Sequence, residues 1–406
     1  VTAFDSLWTE LAGVGRDPGT GGYRRYAWDD ADLTLREWFT GCATARGMDV
    51  ERDRNGNLWA WWLPHGWTGD PTGAFVTGSH LDSVPDGGAF DGPLGVASAF
   101  AAIDALRAEG VRPRSPVGVV AFADEEGARF GVACVGSQLS TGALDPDRAR
   151  ALRDGDGRTL AEVLTGAGVD PAGLGRDTTL PQRIGVFVEL HVEQGRALDR
   201  LGVPIAVASS IWPHGRWRLA FRGEANHAGA TRMDDRHDPM LPYAATVAAA
   251  RARAVQHGGV ATFGKIAVAP NGANAIASEV SAVLDARAPS TPELDALTRD
   301  LLADAARHAG AEGTRLEVVG ESRSAAVDFP EGPRERIRDA LGGNVPVLPT
   351  AAGHDAGVLA GVVPTAMLFV RNPTGVSHSP REWAERDDCL AGVDALATVM
   401  RDRIAP

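Results

Sequence analysis

Cysteine is scarce in this chain. The three residues, Cys42, Cys134 and Cys389, form no Cys-x-x-Cys pair. An odd, sparse set argues against a disulfide framework and suits a reducing compartment, with each thiol a small buried hydrophobe. Long apolar runs are missing too. No stretch of about 18 apolar residues occurs, so no membrane-spanning helix is expected, and the opening residues hold no signal-like apolar segment. Positive charge is in deficit: 40 basic against 53 acidic residues give a net charge of −13. That balance leaves no basic footprint for nucleic acid and no polybasic membrane anchor. There is no repeat or low-complexity tract, no Walker pattern with its lysine and no Gly-x-Gly-x-x-Gly opening a helix. These absences lead to the expectation of a cytoplasmic protein that partners neither nucleic acid nor membrane.

What is present describes a globular enzyme-sized chain. Its 406 residues, 44% hydrophobic and 23% charged, suit two or three domains with a sizeable core. Residues 29–46 read as a helix opening on Asp29 and Asp30, 57–62 and 74–80 as strands, and the Ala-rich 96–107 as a helix. The segments 117–123 and 184–191 are nearly continuous apolar runs, the pattern of strands buried on both faces. Alternating strands and helices predict an α/β fold, a mixed, mostly parallel sheet with helices on both faces. From about 214 to 325 the order changes to strand (216–222), helix (240–254), strand (261–268), strand (279–287), helix (291–309) and strand (314–319). That β-α-β-β-α-β order is ferredoxin-like. A helix near 331–341, a strand at 364–370 and a helix at about 386–403 then resume the first pattern. The expected division is a catalytic domain made of residues 1–213 and 327–406, interrupted by a lid or dimerisation domain at 214–326.

Acids and histidines gather at the predicted strand ends. His80 and Asp91 stand eleven positions apart in the Gly-rich stretch 78–92, after the strand at 74–79. Glu125 and Glu126 follow the strand 117–123, His191 ends the next apolar strand, and His378 lies beyond the strand 364–370. In an open α/β sheet the carboxyl ends of strands line one crevice, where residues distant in sequence converge. Imidazole and carboxylate together suit Zn²⁺, Mn²⁺, Co²⁺ or Ni²⁺. Two neighbouring ions need a bridging carboxylate, for which an aspartate is short enough, and a second acid beside a ligand glutamate can take a proton from water.

The motifs Gly-Ser-His-Leu-Asp-Ser-Val-Pro-x-Gly-Gly-x-x-Asp-Gly, Asp-Glu-Glu-Gly-x-Arg-Phe, Glu-Leu-His-x-Glu-Gln-Gly, Asn-His-Ala-Gly and Ser-His-Ser-Pro follow one another in order between residues 75 and 385. Together they resemble the M20-type metallohydrolases, and within them the branch of N-carbamoyl-L-amino-acid hydrolases, β-ureidopropionases and allantoate amidohydrolases. The resemblance implies two divalent ions per subunit, zinc foremost, and a homodimer formed through the inserted domain. It implies His80 and His191 as ligands of one ion, Asp91 as the bridge, and Glu126 with His378 on the second. Glu125 becomes the general base, and Asp82 orients an imidazole. On the substrate side it implies that Arg287 binds a carboxylate, that Asn274 and Gln194 contact the substrate, and that His227 polarises the scissile carbonyl from the partner subunit. The expected reaction is hydrolysis of a linear C–N bond in a small carboxylate-bearing substrate, an N-carbamoyl-L-amino acid first, with allantoate or an N-acyl amino acid as alternatives.

Several positions depart from the family pattern. Arg196 follows Gln194-Gly195, the hinge carries Pro213 and His214, and the lid motif reads Ala230-Thr231-Arg232-Met233. No expected metal ligand is altered, so these departures bear on substrate choice, with His214 a further candidate substrate contact. A non-catalytic binding protein of the same fold is the rival from another class. It is disfavoured because His80, Asp91, Glu125, Glu126, His191 and His378 are all kept.

Overall fold

The computed structural model describes residues 2–405. Val1 and Pro406, the outer ends of the two expected catalytic segments, lie outside the described residues. Thirteen strands follow in chain order: β1 (Asp49–Arg52), β2 (Leu58–Trp62), β3 (Ala74–His80), β4 (Val117–Phe122), β5 (Ile184–Val192), β6 (Ile205–Ile211), β7 (His214–Arg222), β8 (Val260–Ala269), β9 (Glu279–Arg287), β10 (Arg315–Ser324), β11 (Val327–Asp328), β12 (Val347–Thr350) and β13 (Thr365–Val370). The chain divides into two compact units. One takes in the chain up to Ser209 and again from Phe329; the other is Ser210–Asp328, against the expected 214–326.

The larger sheet runs β1-β2-β4-β3-β5-β13-β6-β11, with β12 also paired to β6. Its centre, β4-β3-β5-β13, is parallel. Its flanks are antiparallel. Every residue of β3, β4 and β13 is buried, and for β4 this is why the sequence reads as a nearly continuous apolar run. The helix Pro93–Ala108 begins on a proline whose missing N–H costs nothing there. Its Leu94, Phe100, Ile103 and Leu106 are fully buried in the main core, with Phe39 edge-on to Phe100 at 5.2 Å.

The second unit is the expected ferredoxin-like arrangement. Its sheet runs β10-β7-β9-β8 and is antiparallel throughout. Burial alternates strictly along β9, so one face carries Val280, Ala282 and Leu284 into a core with Leu294, Leu297 and Leu301 from the helix Thr291–Ala311. The helix Met240–Gln256 adds Ala250 and Ala254 to the same core.

Candidate metal centre and active site

The parallel centre of the larger sheet brings the carboxyl ends of β3, β4, β5 and β13 to one edge. His80 is the last residue of β3 and His191 the last but one of β5. Asp91 comes just before the helix Pro93–Ala108, and Glu125 and Glu126 follow β4 within a few residues. His378 lies on the loop after β13 with a left-handed backbone, φ 55°.

Two hydrogen bonds orient the buried imidazoles. His80 Nδ1 lies 3.1 Å from the Asp82 carbonyl and His191 Nδ1 lies 2.9 Å from the Val192 carbonyl. A carbonyl only accepts, so each Nδ1 carries a proton and each Nε2, once deprotonated, presents its lone pair to the centre. Those Nε2 atoms stand 3.5 and 3.2 Å from Asp91 Oδ1. Asp91 Oδ2 faces the other way, 3.4 Å from His378 Nε2, which is 3.5 Å from Glu126 Oε2. Donors held about 2.0–2.2 Å from one tetrahedral ion sit about 3.3–3.5 Å from each other. His191 Nε2 and Glu126 Oε1 are buried with no hydrogen-bond partner. Acceptors facing acceptors at these spacings fit divalent cations, and two sets, His80–Asp91–His191 and Asp91–Glu126–His378, share only Asp91. A third set, Glu189–His191–His354, is not independent. It reuses His191, and both Glu189 oxygens are engaged, by the Ser79 hydroxyl at 2.7 Å and the Ala356 amide at 2.9 Å.

Charge and burial oppose one another throughout this site. Burial pushes Asp91 up, yet the imidazoles of His191, His378 and His80 hold it well below the usual carboxylate range. Burial lowers His191, and the Asp91 carboxylate more than reverses it. Glu125 is raised well above its ordinary value by burial, against the pull of His80. Burial and the Asp91 charge carry Glu126 up to about 7.

Glu125 Oε2 lies 3.7 Å from His80 Nε2, and Cys134 Sγ donates to its Oε1 at 3.2 Å. Asp82 holds the His80 imidazole through its backbone carbonyl rather than its carboxylate. Its carboxylate is 3.6 Å from His80 Nδ1, too far for a hydrogen bond. Its two oxygens instead accept the backbone N–H groups of Glu125 and Glu126 at 3.1 and 3.0 Å, and only its carbonyl holds the imidazole. Gly92 is required where it stands: at φ 85°, a Cβ there would lie 2.4 Å from the His80 ring. Gln194 Nε2 donates to Asp91 Oδ2 at 2.8 Å, so it touches the ligand set itself.

Four residues here escaped the sequence reading. His354 is buried edge-on to His191, ring centroids 4.4 Å apart. Burial, then His191, keeps its imidazole well below the ordinary value, hence neutral. Asp355 accepts the Ser137 hydroxyl at 2.5 Å. Glu189 and Glu382 are buried acids beside the ligands. The signal for the first two was Gly353-His354-Asp355, a polar run between β12 and β13; Glu189 opens the Glu-Leu-His-x-Glu-Gln-Gly motif, and nothing local marks Glu382.

The candidate substrate residues of the second unit form two groups. Arg287 ends β9, directly opposite His214 on β7. Its Nε and an NH2 nitrogen meet Asp285 at 2.8 and 3.3 Å, and Arg216 joins the same carboxylate at 3.1 Å. Burial pushes Asp285 up, and the two arginines more than cancel it. His214 is lowered by burial and then by Arg287, and its Nδ1 is buried without a partner. In the other group, His227 pairs with Ala275, and Ala228 N–H donates to the Asn274 carbonyl at 3.0 Å. His227 Nδ1 accepts the amides of Gly229 and Ala230 at 3.0 and 3.1 Å. That fixes the proton on the exposed Nε2, a hydrogen-bond donor. Arg232 is exposed, and Arg196 pairs with Asp199 at 2.6 Å on the surface of the first unit.

Comparison with known proteins gives the family. The model of Peptidase family M20/M25/M40 matches residues 76–402. An N-carbamoyl-L-amino acid amidohydrolase of Geobacillus stearothermophilus is 36% identical, over 97% of this chain and 96% of that protein. An allantoate amidohydrolase of Escherichia coli K12 is 31% identical over 96% of this chain and 95% of its own length. A crystal structure of an amidase of the hydantoinase/carbamoylase family from Burkholderia vietnamiensis superposes with a TM-score of 0.87 at 31% identity, covering 100% of this chain and 97% of that one. The chain belongs to peptidase family M20/M25/M40, in the branch that holds the N-carbamoyl-L-amino acid and allantoate amidohydrolases.

Proposed function

We propose that this protein hydrolyses the linear C–N bond of an N-carbamoyl-L-amino acid with two divalent metal ions, zinc foremost and manganese, cobalt or nickel as alternatives. The observation that carries the two-ion reading is the split of Asp91, whose Oδ1 faces His80 and His191 while its Oδ2 faces His378. Glu126 would complete the second set. When bound, such ions supply Lewis acidity that acidifies water and polarises a carbonyl.

The residues of the chain do the rest. Glu125, buried and raised in proton affinity, accepts the proton of the attacking water and later delivers it to the leaving nitrogen. His227 offers its Nε2–H to the carbonyl oxygen as charge develops there, a contribution of about 3 kcal/mol for a well-placed donor. Arg287, already aligned by Asp285, binds the carboxylate through its planar fork. Asn274 and His214 stand beside these two groups as further substrate contacts. One water consumed per carbamoyl group gives the amino acid, ammonia and carbon dioxide. Relatives named N-carbamoyl-L-amino acid amidohydrolase support this substrate class, and the paired arginine supports a free carboxylate.

We further propose a homodimer through the second unit, whose edge strand β8 exposes Val260 and Ile266. The decisive assay is ammonia release by metal-reconstituted protein offered N-carbamoyl amino acids, β-ureidopropionate, allantoate and N-acyl amino acids. Turnover of N-carbamoyl amino acids above the rest is expected. Preference for allantoate moves the assignment within the branch, and acyl cleavage without ammonia overturns it.

A further inference from the structure

Glu382 is buried, four positions after His378, and its carboxylate spans two separate loops. Oε1 accepts the backbone N–H groups of both Phe90 and Asp91, at 2.8 and 3.0 Å. Oε2 lies 3.0 Å from the Ser377 hydroxyl, which is also 3.1 Å from Asp91 Oδ2. One side chain therefore fixes the backbone of Asp91 and, through the neighbour of His378, the loop that presents that imidazole. The fit is close. A Cβ on Gly88 would lie 2.3 Å from Glu382 Oε1 and 2.4 Å from its Cβ, so the loop can wrap the carboxylate only with glycine there.

We propose that Glu382 is a positioning residue that ties the Asp91 loop to the His378 loop and so sets the Asp91–Glu126–His378 side of the centre. It touches no substrate. Without it the Asp91 and Phe90 amides lose their acceptor and His378 loses its tether, while His80 and His191 keep their own carbonyl partners. Asp91 belongs to both ligand sets, but only the Asp91–Glu126–His378 set also loses its second tether through Ser377, so that set is the more strongly affected. The proposal rests on the two-ion reading.

The test uses the full-length parent with Glu382→Ala, Glu382→Gln and Gly88→Ala. Each metal-free protein is titrated with Mn²⁺ alone by calorimetry, and amide hydrogen exchange is followed at Phe90 and Asp91 before metal is added. Gln keeps an acceptor for both amides, so Glu382→Gln should hold both ions within about 3-fold of the parent, whereas Glu382→Ala and Gly88→Ala should weaken one ion by about 10–100-fold and the other, which shares only Asp91, clearly less. In those two variants the Phe90 and Asp91 amides should exchange at least about tenfold faster. Parental exchange rates at these amides in Glu382→Ala overturn the proposal, as does parental affinity for both ions or parallel loss of both in all three variants. A parent that takes up fewer than two Mn²⁺ ions overturns the two-ion reading instead, and the exchange rates alone then decide whether Glu382 is the clamp.

Discussion

Asp91 and Glu125 illustrate how burial assigns opposite tasks to two carboxyl groups. Both are buried. Asp91 is surrounded by three imidazoles that hold it ionised, a state suited to binding cations. Glu125 has one imidazole nearby, further acids at Asp355 and Glu126, and a burial penalty that raises its proton affinity. That is the environment of a group that takes up and gives back a proton. Glu125→Gln preserves the shape and leaves both ligand sets intact. We expect parental metal content with turnover reduced by about 10²–10⁴-fold, the usual worth of a positioned acid–base group. Metal analysis beside steady-state kinetics checks this, and parental turnover would remove Glu125 from the mechanism.

Elements in the second unit are joined by charge as well as by apolar packing. Arg253 on the helix Met240–Gln256 meets Asp304 on the helix Thr291–Ala311 through two contacts, at 2.8 and 3.2 Å, and Arg307 adds a third at 2.8 Å. Hydrogen bonds from Arg253 and Arg307 lower Asp304 to about 2. A depressed carboxylate stabilises the fold above the unfolded value of about 3.9, and that contribution fades as the pH falls through the folded value. With both arginines partly solvated, Asp304→Asn should cost about 1 kcal/mol at neutral pH, and the gap from the parent should close as the pH drops from 5 towards 2. Denaturant unfolding across that range measures it; a constant gap would mean that packing alone matters at this position. Elements of this kind were legible in the sequence wherever apolar pattern was strong, β4 and β5 as nearly continuous runs. The short flanking strands β1, β11 and β12 were not, because a run as short and as largely exposed as Asp49–Arg52 carries no period. The candidate ligands that the fold brings together were legible because glycines and a conspicuous histidine or acid marked each loop. Glu382 was not, since its meaning lies in two amides nearly three hundred positions away.

At the scale of the whole molecule, the proposed dimer makes a simple claim. Ile266 stands exposed on β8, an edge of the second sheet, and a second copy covering it would remove that apolar surface from water. Ile266→Lys should shift the protein towards monomers in sedimentation at micromolar concentration, whereas an unchanged sedimentation coefficient would place the interface elsewhere. The order of the large sheet has another consequence, for the history of each molecule. β13 inserts between β5 and β6, pairing residues such as Phe369 and His191 that are far apart in the chain, and His378 follows it. A ribosome delivers His80, Asp91 and Glu126 long before His378. On the two-ion proposal, the Asp91–Glu126–His378 set has no counterpart in the growing chain until His378 has been made, so it would be completed last. Parallel pairing over such separations is slow to form, so under that proposal the timing of chain closure would bear on which metal the second set receives.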